Sequence, residues 1–219
     1  MSINIFGKTY DITSTELILS GKRIKEIPTS LNNFANLQIL VLNDNQIKKF
    51  TNSFNNLIYL KELYLHFNNI TEISNNLSNL INLQLICLYH NNIRIIPNSL
   101  GNLVNLRGLE LNDNRIIEIP NSLGNLINLT AFYISENRIR VLPISLINLE
   151  NLKCLYYHNN PIQNINPIVQ RFLNRIETDN DRNNTNNVYN IYNNRQNVHT
   201  SSIQQSVKRS ITAILSFII

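Results

Sequence analysis

Apolar residues return every 23 positions along most of the chain, and this period is its most informative feature. Each unit begins L-x-x-L-x-L-x-x-N and continues I-x-x-I-P-x-S-L-x-N-L-x-N, with some variation. The opening leucines of the fuller units are Leu37, Leu60, Leu83, Leu106, Leu129 and Leu152. The recurring asparagines are Asn45, Asn68, Asn91, Asn114, Asn137 and Asn160. A fixed period in this range indicates a solenoid, because one unit cannot bury its apolar face alone and must stack on its neighbours.

The pattern within a unit predicts a short strand followed by a helical return. The L-x-L alternation directs leucines to one face of a strand and variable residues to the other. The asparagine amide can both donate and accept, so it can satisfy the backbone of the turn after the strand and form a ladder through the interior. Proline suits the first turn of a short helical piece, where its missing N–H is not needed. Thr51 and Ser74 replace it in two units.

The periodic frame divides the chain into five segments. The first carries the apolar residues Ile3, Ile5, Phe6 and Tyr10. The third begins at Pro167 and shows apolar residues at helical spacing. Residues 1–13 are predicted to form an N-terminal cap, and residues 14–166 about seven repeats. Residues 167–176 are predicted to form a C-terminal capping helix. An Asn-rich flexible linker is predicted over residues 177–205 and an apolar tail over residues 206–219.

The composition of the chain also indicates a cellular compartment and a type of source genome. The start of the chain lacks the apolar core of a secretory signal, and no run approaches the ~20 apolar residues of a membrane-spanning helix. Cys87 and Cys154 are expected ~14 Å apart, beyond the reach of a disulfide, so they are predicted to be free thiols. Free thiols indicate the cytoplasm, because that compartment keeps cysteines reduced. The excess of Asn and Ile is typical of an AT-rich genome, such as that of a protist or of a large DNA virus, in which case the compartment is the host cytoplasm.

The residues that could carry catalysis do not occur in a recognisable pattern. No spacing assembles a nucleophile, a base and an oxyanion donor, and the five glycines form no phosphate loop. His66, Tyr89 and His90 come from adjacent units near Cys87, but strand alternation directs neighbouring residues to different sides. We therefore expect no enzyme activity, no cofactor and no metal site.

The repeats resemble those of the leucine-rich repeat family over residues 14–166. Their I-P-x-S-L-x-N-L segment is similar to the intracellular Ras-group type found in signalling scaffolds. The resemblance implies an α/β solenoid with a curved, concave parallel sheet, no catalysis, and protein recognition on the concave face. The interpretation is a non-enzymatic protein-interaction module. The alternatives are a substrate-recognition adaptor of a larger complex, such as a ubiquitin ligase, and a membrane-peripheral protein.

The variable strand positions predict where a protein partner would bind. Aromatic residues share this face with an acidic centre, and tyrosine is enriched at interfaces because a buried ring can keep its hydroxyl paired. The alternative is a solvated sheet with ordinary strand-favouring tyrosines. The predicted partner-binding residues are Tyr64, His66, Phe67, Tyr89, Arg107, Glu110, Asp113, Tyr133, Glu136, Tyr156 and His158.

Two further charged features are possible binding sites. A net charge of +5 is mildly basic, and the loops after the asparagines form a basic edge that could attract an acidic partner or RNA. The edge lacks interleaved aromatic platforms, which favours a solubilising role over nucleic-acid binding. The tail carries Lys208 and Arg209 before a short apolar run. Through residues 208–219 it could lie on a membrane surface, dock on a partner or pack back on the solenoid.

Overall fold

A computed structural model describes residues 1–49, 54 and 56–182, and a parallel sheet runs through them. The described residues contain an antiparallel hairpin, β1 and β2, and a seven-stranded sheet in the order β3 to β9. The strand bounds are Ser2–Ile5, Lys8–Asp11, Glu16–Ile18, Ile39–Val41, Glu62–Tyr64, Leu85–Cys87, Gly108–Glu110, Ala131–Tyr133 and Cys154–Tyr156. Each sheet strand pairs in parallel with the strand one period along. The predicted α/β solenoid is therefore confirmed.

The middle residue of each sheet strand points into one continuous apolar core. Leu40 pairs with Leu63, and Leu63 pairs with Ile86, so like side chains stack from repeat to repeat. All three are fully buried. The core continues through the leucines and isoleucines of the return segments. Burial of this kind is the main favourable term in folding, at about 25 cal/mol per Å² of apolar surface.

The recurring asparagines form the predicted interior ladder. The amide nitrogen of Asn91 donates to the carbonyl oxygens of Leu65 and Leu88, both at 3.0 Å. Its Oδ1 accepts from the backbone N–H of Ile70 at 2.9 Å. Asn45, Asn68, Asn114, Asn137 and Asn160 repeat this arrangement. Each asparagine thus joins its own turn to the preceding repeat.

The return segments with described bounds are 3-10 helices. They span Thr29–Asn33, Asn75–Asn79, Asn98–Asn102, Asn121–Asn125 and Ile144–Asn148. Pro97 stands just before its helix in an extended conformation, one residue earlier than the first-turn position predicted from sequence, and Pro28, Pro120 and Pro143 do the same. Where the proline is missing, Ser74 caps the helix by accepting the N–H of Asn76 at 3.2 Å. Thr51 lies outside the described residues.

Both ends of the core are covered. At the N-terminus the β1–β2 hairpin turns at Phe6 and Gly7, both with positive φ as a two-residue hairpin of this kind requires. Ile5 is buried in the core, whereas Phe6 at the turn is 57% exposed. Phe6 therefore does not cover the core as the other apolar residues of this segment do.

At the C-terminus, helix α1 spans Pro167–Arg182 and begins at the predicted proline. Val169, Phe172, Leu173 and Ile176 are buried against the last repeat. The helix ends six residues later than the predicted boundary at 176, because a helix once formed extends at little cost beyond its last apolar anchor. The rest of the predicted linker, and the tail, lie outside the described residues. Among those that are described, no helix is long and apolar enough to cross a membrane.

Candidate functional site on the concave face

The concave face is formed by four positions in each repeat. They are the first and third residues of each strand, which point away from the core, and the second and third residues after the strand. We name these positions the concave columns. They contain ten of the eleven predicted partner-binding residues; the exposed Arg107 immediately precedes β7 and lies just outside them.

The N-terminal half of this face is an apolar layer with its own packing. Val41, Tyr64, Leu85 and Cys87 form a buried cluster separate from the main core. Leu85 lies over Gly108, where an added Cβ would meet its Cδ1 at 2.7 Å. This glycine therefore allows the leucine side chain to lie flat on the neighbouring strand.

Tyr64 belongs to this layer, which changes its predicted role. The ring is only 2% exposed, and its hydroxyl donates to Oε2 of Glu62 at 2.8 Å. Burial, with the nearby Cys87 and Glu62, raises the pKa of Tyr64 well above its ordinary value, so the hydroxyl stays protonated. Tyr64 supports the concave face from within and does not present a ring to a partner.

Four aromatic rings form a half-buried cluster where β5 and β6 end. His66 stacks on Tyr89 with centroids 4.5 Å apart, and Phe67 stacks on His90 at the same distance. Phe67 also meets Tyr89 edge to face at 5.4 Å. His90 was not among the predicted site residues. Its position in the repeat frame, one period after Phe67, is the signal that could have found it.

The backbone beneath part of this cluster adopts an unfavourable conformation. Phe67 and His90 have φ of 53°, in the left-handed region that non-glycine residues avoid. The same position is left-handed in every described repeat, at Gly21, Asp44, Phe67, His90, Asp113, Glu136 and Asn159. The turn requires this φ because its N–H groups must reach the next repeat, as Phe67 N–H reaches the carbonyl of Tyr89 at 3.1 Å. This conformation costs ~1–2 kcal/mol per non-glycine residue, and its recurrence shows that it belongs to the turn of the repeat.

A second aromatic group lies on β8 and β9. The rings of Tyr133 and Tyr156 stack almost parallel, with centroids 5.1 Å apart, and both are half-buried. Burial raises the pKa of Tyr156, so its hydroxyl remains a donor at neutral pH. Beyond the strands, Ser135 Oγ and His158 Nδ1 are hydrogen-bonded at 3.0 Å. The predicted tyrosine anchors are brought together here.

The predicted acidic centre is divided between a buried and an exposed part. Glu110 lies on β7 in the column between Cys87 and Tyr133 and is only 7% exposed, whereas Glu136 is exposed and Asp113 is half-buried. The carboxylate of Asp113 pairs with Nδ1 of His90 and so joins the acidic residues to the first aromatic cluster. Glu110, like Tyr64, is buried below the surface of the concave face.

The remaining predicted features lie on other surfaces or within the packing. Cys87 and Cys154 are buried and form no disulfide with each other, as predicted, and burial raises the pKa of Cys154. The predicted basic edge is exposed, and Lys49 pairs there with Glu72 at 3.1 Å. Its members are Arg23, Lys25, Lys48, Lys49, Arg94, Arg115, Arg138 and Arg140. Within the described residues, no group of three or more His, Cys, Asp or Glu side chains is placed to hold a metal ion.

Comparisons with known proteins agree with this geometry. A family model for a leucine-rich repeat region matches residues 94–174, and one for the leucine rich repeat matches residues 58–116. No curated protein matches the sequence.

Three solved structures illustrate the likeness. An internalin of Listeria monocytogenes is 27% identical with a TM-score of 0.58, over 65% of this chain and 41% of that one. A leucine-rich repeat protein of Leptospira interrogans is 25% identical with a TM-score of 0.57, over 74% and 46%. The plant peptide hormone receptor RGFR1 in complex with RGF2 is 32% identical with a TM-score of 0.58, over 63% and 23%. This chain therefore spans less than half of each. The register of the sheet and these matches together show that the chain carries leucine-rich repeats and folds as a leucine-rich repeat solenoid.

Proposed function

We propose that this chain is a non-enzymatic protein-interaction module that binds its partner on the concave face. The leucine-rich repeat fold supports an interaction module in general, and one of the similar structures is a receptor in complex with RGF2. The observation that carries the proposal for this face is the pair of aromatic groups in the concave columns. Tyr133 with Tyr156 and His66 with Tyr89 are each held in a stack and still partly exposed.

Stacked and partly exposed rings suit binding for an energetic reason. Ordering a flexible side chain at an interface costs about 0.5–1.5 kcal/mol, and a ring already fixed by its neighbour avoids much of that cost. Aromatic residues at the centre of an interface also tend to contribute most of the binding energy. The concave face thus offers large contact area whose conformation is set before a partner arrives.

The test replaces both tyrosines of the exposed pair, Tyr133→Ser with Tyr156→Ser, in the full chain. We expect capture of the partner from an extract of the native cells to fall at least tenfold, because the stacked anchor is lost. Circular dichroism checks that the solenoid still folds. Tyr59→Ser is the matched control, since Tyr59 is exposed and lies outside the concave columns. Undiminished capture by the double variant, or an equal loss in the control, would contradict the proposal.

We further propose that the chain acts in the reducing environment of the cytoplasm. The buried thiols of Cys87 and Cys154, which form no disulfide with each other, support this location, because reducing compartments preserve thiols. Fluorescence microscopy of the tagged full chain in its own cells tests this directly. A signal confined to the cell exterior would contradict it.

A further inference from the structure

We infer that the partner presents an extended protein segment carrying arginine or lysine, and that the concave face recognises these cations between its aromatic rings and carboxylates. This rests on the proposed function that a protein binds the concave face. It adds the chemistry of the segment that would be bound.

The charge of the concave face is opposite to that of the whole chain. The chain carries a net charge of +5, with 19 Lys and Arg against 14 Asp and Glu. The concave columns hold six of those acidic residues and no Lys or Arg, leaving every basic residue and eight acidic residues elsewhere. The six are Glu16, Asp44, Glu62, Glu110, Asp113 and Glu136. A surface of one sign attracts ligands of the other and raises their association rate.

The carboxylates stand beside aromatic rings, and this combination is more specific than charge alone. Phe67 and His90 occupy one column, with Asp44 one repeat before them and Asp113 one repeat after. Neighbouring repeats are ~4.8 Å apart at the sheet, so a cation over a ring lies within reach of a carboxylate. A guanidinium stacks on aromatic faces and pairs with carboxylates through two parallel hydrogen bonds. Arginine is therefore the side chain that matches this surface best.

A polar acceptor beside the first aromatic cluster also lacks a donor. Oδ1 of Asn43 is buried and has no hydrogen-bond partner among the residues that the structure describes, while the amide nitrogen of the same side chain donates to Asp44 Oδ2 at 2.5 Å. A buried acceptor left without a donor destabilises the fold, because it has lost its hydrogen bond to water and gained none in return. A cationic N–H group bound next to Asp44 would supply that donor once the amide turns towards it.

The spacing of the two aromatic groups indicates an extended segment. The first group ends at the repeat of β6 and the second begins at that of β8, two strand spacings or ~10 Å away. A segment in the extended polyproline II conformation rises ~3.1 Å per residue with three residues per turn, so side chains three residues apart lie on one face and would meet the two groups. A bound segment should therefore carry its cations at about every third residue.

The experiment measures binding of a synthetic peptide to the full chain by fluorescence anisotropy. The probe is a fluorescein-labelled nonapeptide with arginine at positions one, four and seven and serine elsewhere. Matched peptides carry lysine, glutamine or glutamate at the same positions. We expect saturable binding in the order arginine, lysine, then glutamine, no binding of the glutamate peptide, and weaker binding as salt rises.

A double variant, Asp113→Asn with Glu136→Gln, tests the site. Two partly exposed ion pairs at about 0.5 kcal/mol each correspond to a roughly fivefold loss of affinity for the arginine peptide. Glu118→Gln with Glu150→Gln is the control, since both residues are exposed and lie outside the concave columns. An equal loss in the control, or binding of the arginine and glutamine peptides with equal affinity, would overturn the inference.

Two other occupants of the face would show themselves in the same assay. Tighter peptide binding by a Lys208→Gln, Arg209→Gln variant would show that the chain's own basic pair occupies the concave face. That result would overturn the inference of an external basic segment. Peptide affinity that falls as the protein concentration rises would show that a second copy of this chain occupies the concave face. That result would also overturn the inference of an external basic segment. If no peptide binds while the Tyr133, Tyr156 variant still loses its partner, the basic segment is overturned and the proposed function stands. If that variant retains its partner, the proposed function fails as well.

Discussion

At the residue scale, the asparagine after each strand secures the turn through several hydrogen bonds at once. Asn91 is typical, because its one side chain donates to three backbone carbonyls and accepts one N–H, and it is buried. A second row of asparagines lies on the surface, where Asn82 donates a single bond to the carbonyl of Ile58 at 2.8 Å. The two rows contain the same residue but differ in burial, so their contributions to stability should differ.

Asn91→Ala should lower the free energy of unfolding by about 3 kcal/mol or more, because several buried backbone groups lose their partner and water cannot replace it. Urea unfolding followed by circular dichroism measures the change. Asn82→Ala is the matched control and should cost about 1 kcal/mol or less, since water reaches that carbonyl. Equal costs for the two substitutions would show that burial of the ladder does not set its contribution.

At the scale of the element, the 3-10 segments differ in how closely neighbours approach. In the two units that read N-S-L-G-N, the glycine lies against the next segment. An added Cβ at Gly101 would lie 2.2 Å from the carbonyl oxygen of Ser122, and one at Gly124 would lie 2.5 Å from that of Ser145. Ser78 occupies the same register one repeat earlier and donates its hydroxyl to the carbonyl of Asn75 at 2.7 Å. The glycines therefore mark where the convex side is most closely packed.

Gly101→Ala should destabilise the fold by about 1–3 kcal/mol, because the added methyl group forces two neighbouring segments apart. Ser78→Ala, which removes a hydroxyl without adding volume, should cost less than about 1 kcal/mol. Urea midpoints of the two variants, measured side by side, make the comparison. A Gly101→Ala variant as stable as the parent chain would refute the close approach.

At the scale of the whole molecule, stability depends on covering the ends of the stack. Each repeat contacts mainly its neighbours, so a solenoid can unfold from an uncovered end while its centre stays folded. Helix α1 buries Val169, Phe172, Leu173 and Ile176 at the C-terminal end, whereas Ile168 on the same helix is exposed. Loss of this cover should therefore affect the last repeats first.

Phe172→Ser should loosen α1 and speed hydrogen exchange at the last strand by tenfold or more, as expected for ~3 kcal/mol of lost burial. The reporter is the N–H of Cys154, which bonds to the carbonyl of Thr130 at 3.0 Å. The N–H of Leu88, near the centre of the sheet, should change less than twofold. Ile168→Ser is the control and should alter neither. Equal acceleration at both amides would mean that the solenoid unfolds as one unit.

Two tyrosines of the concave face show how much of the site could be predicted from the sequence alone. The period predicts that Tyr64 and Tyr133 share a column, and the register of the sheet confirms it. It did not reveal that Tyr64 is covered by Leu85 and Cys87, whereas Tyr133 stays half-exposed beside its stacking partner Tyr156. Side-chain exposure on a sheet depends on the size of residues in neighbouring strands, and those come from other repeats.

The sequence by itself determined the repeat frame, the parallel register and the interior asparagine ladder, because like residues in successive units must stack to bury the core. The tertiary structure alone decided which concave side chains remain available. It buried Tyr64 and Glu110, joined His90 to Asp113, and held Phe67 in a left-handed turn. These features depend on contacts between units 23 residues apart, where side-chain volume and backbone geometry act together. Periodicity fixes which residues meet across repeats, but only packing fixes which of them solvent or a partner can reach.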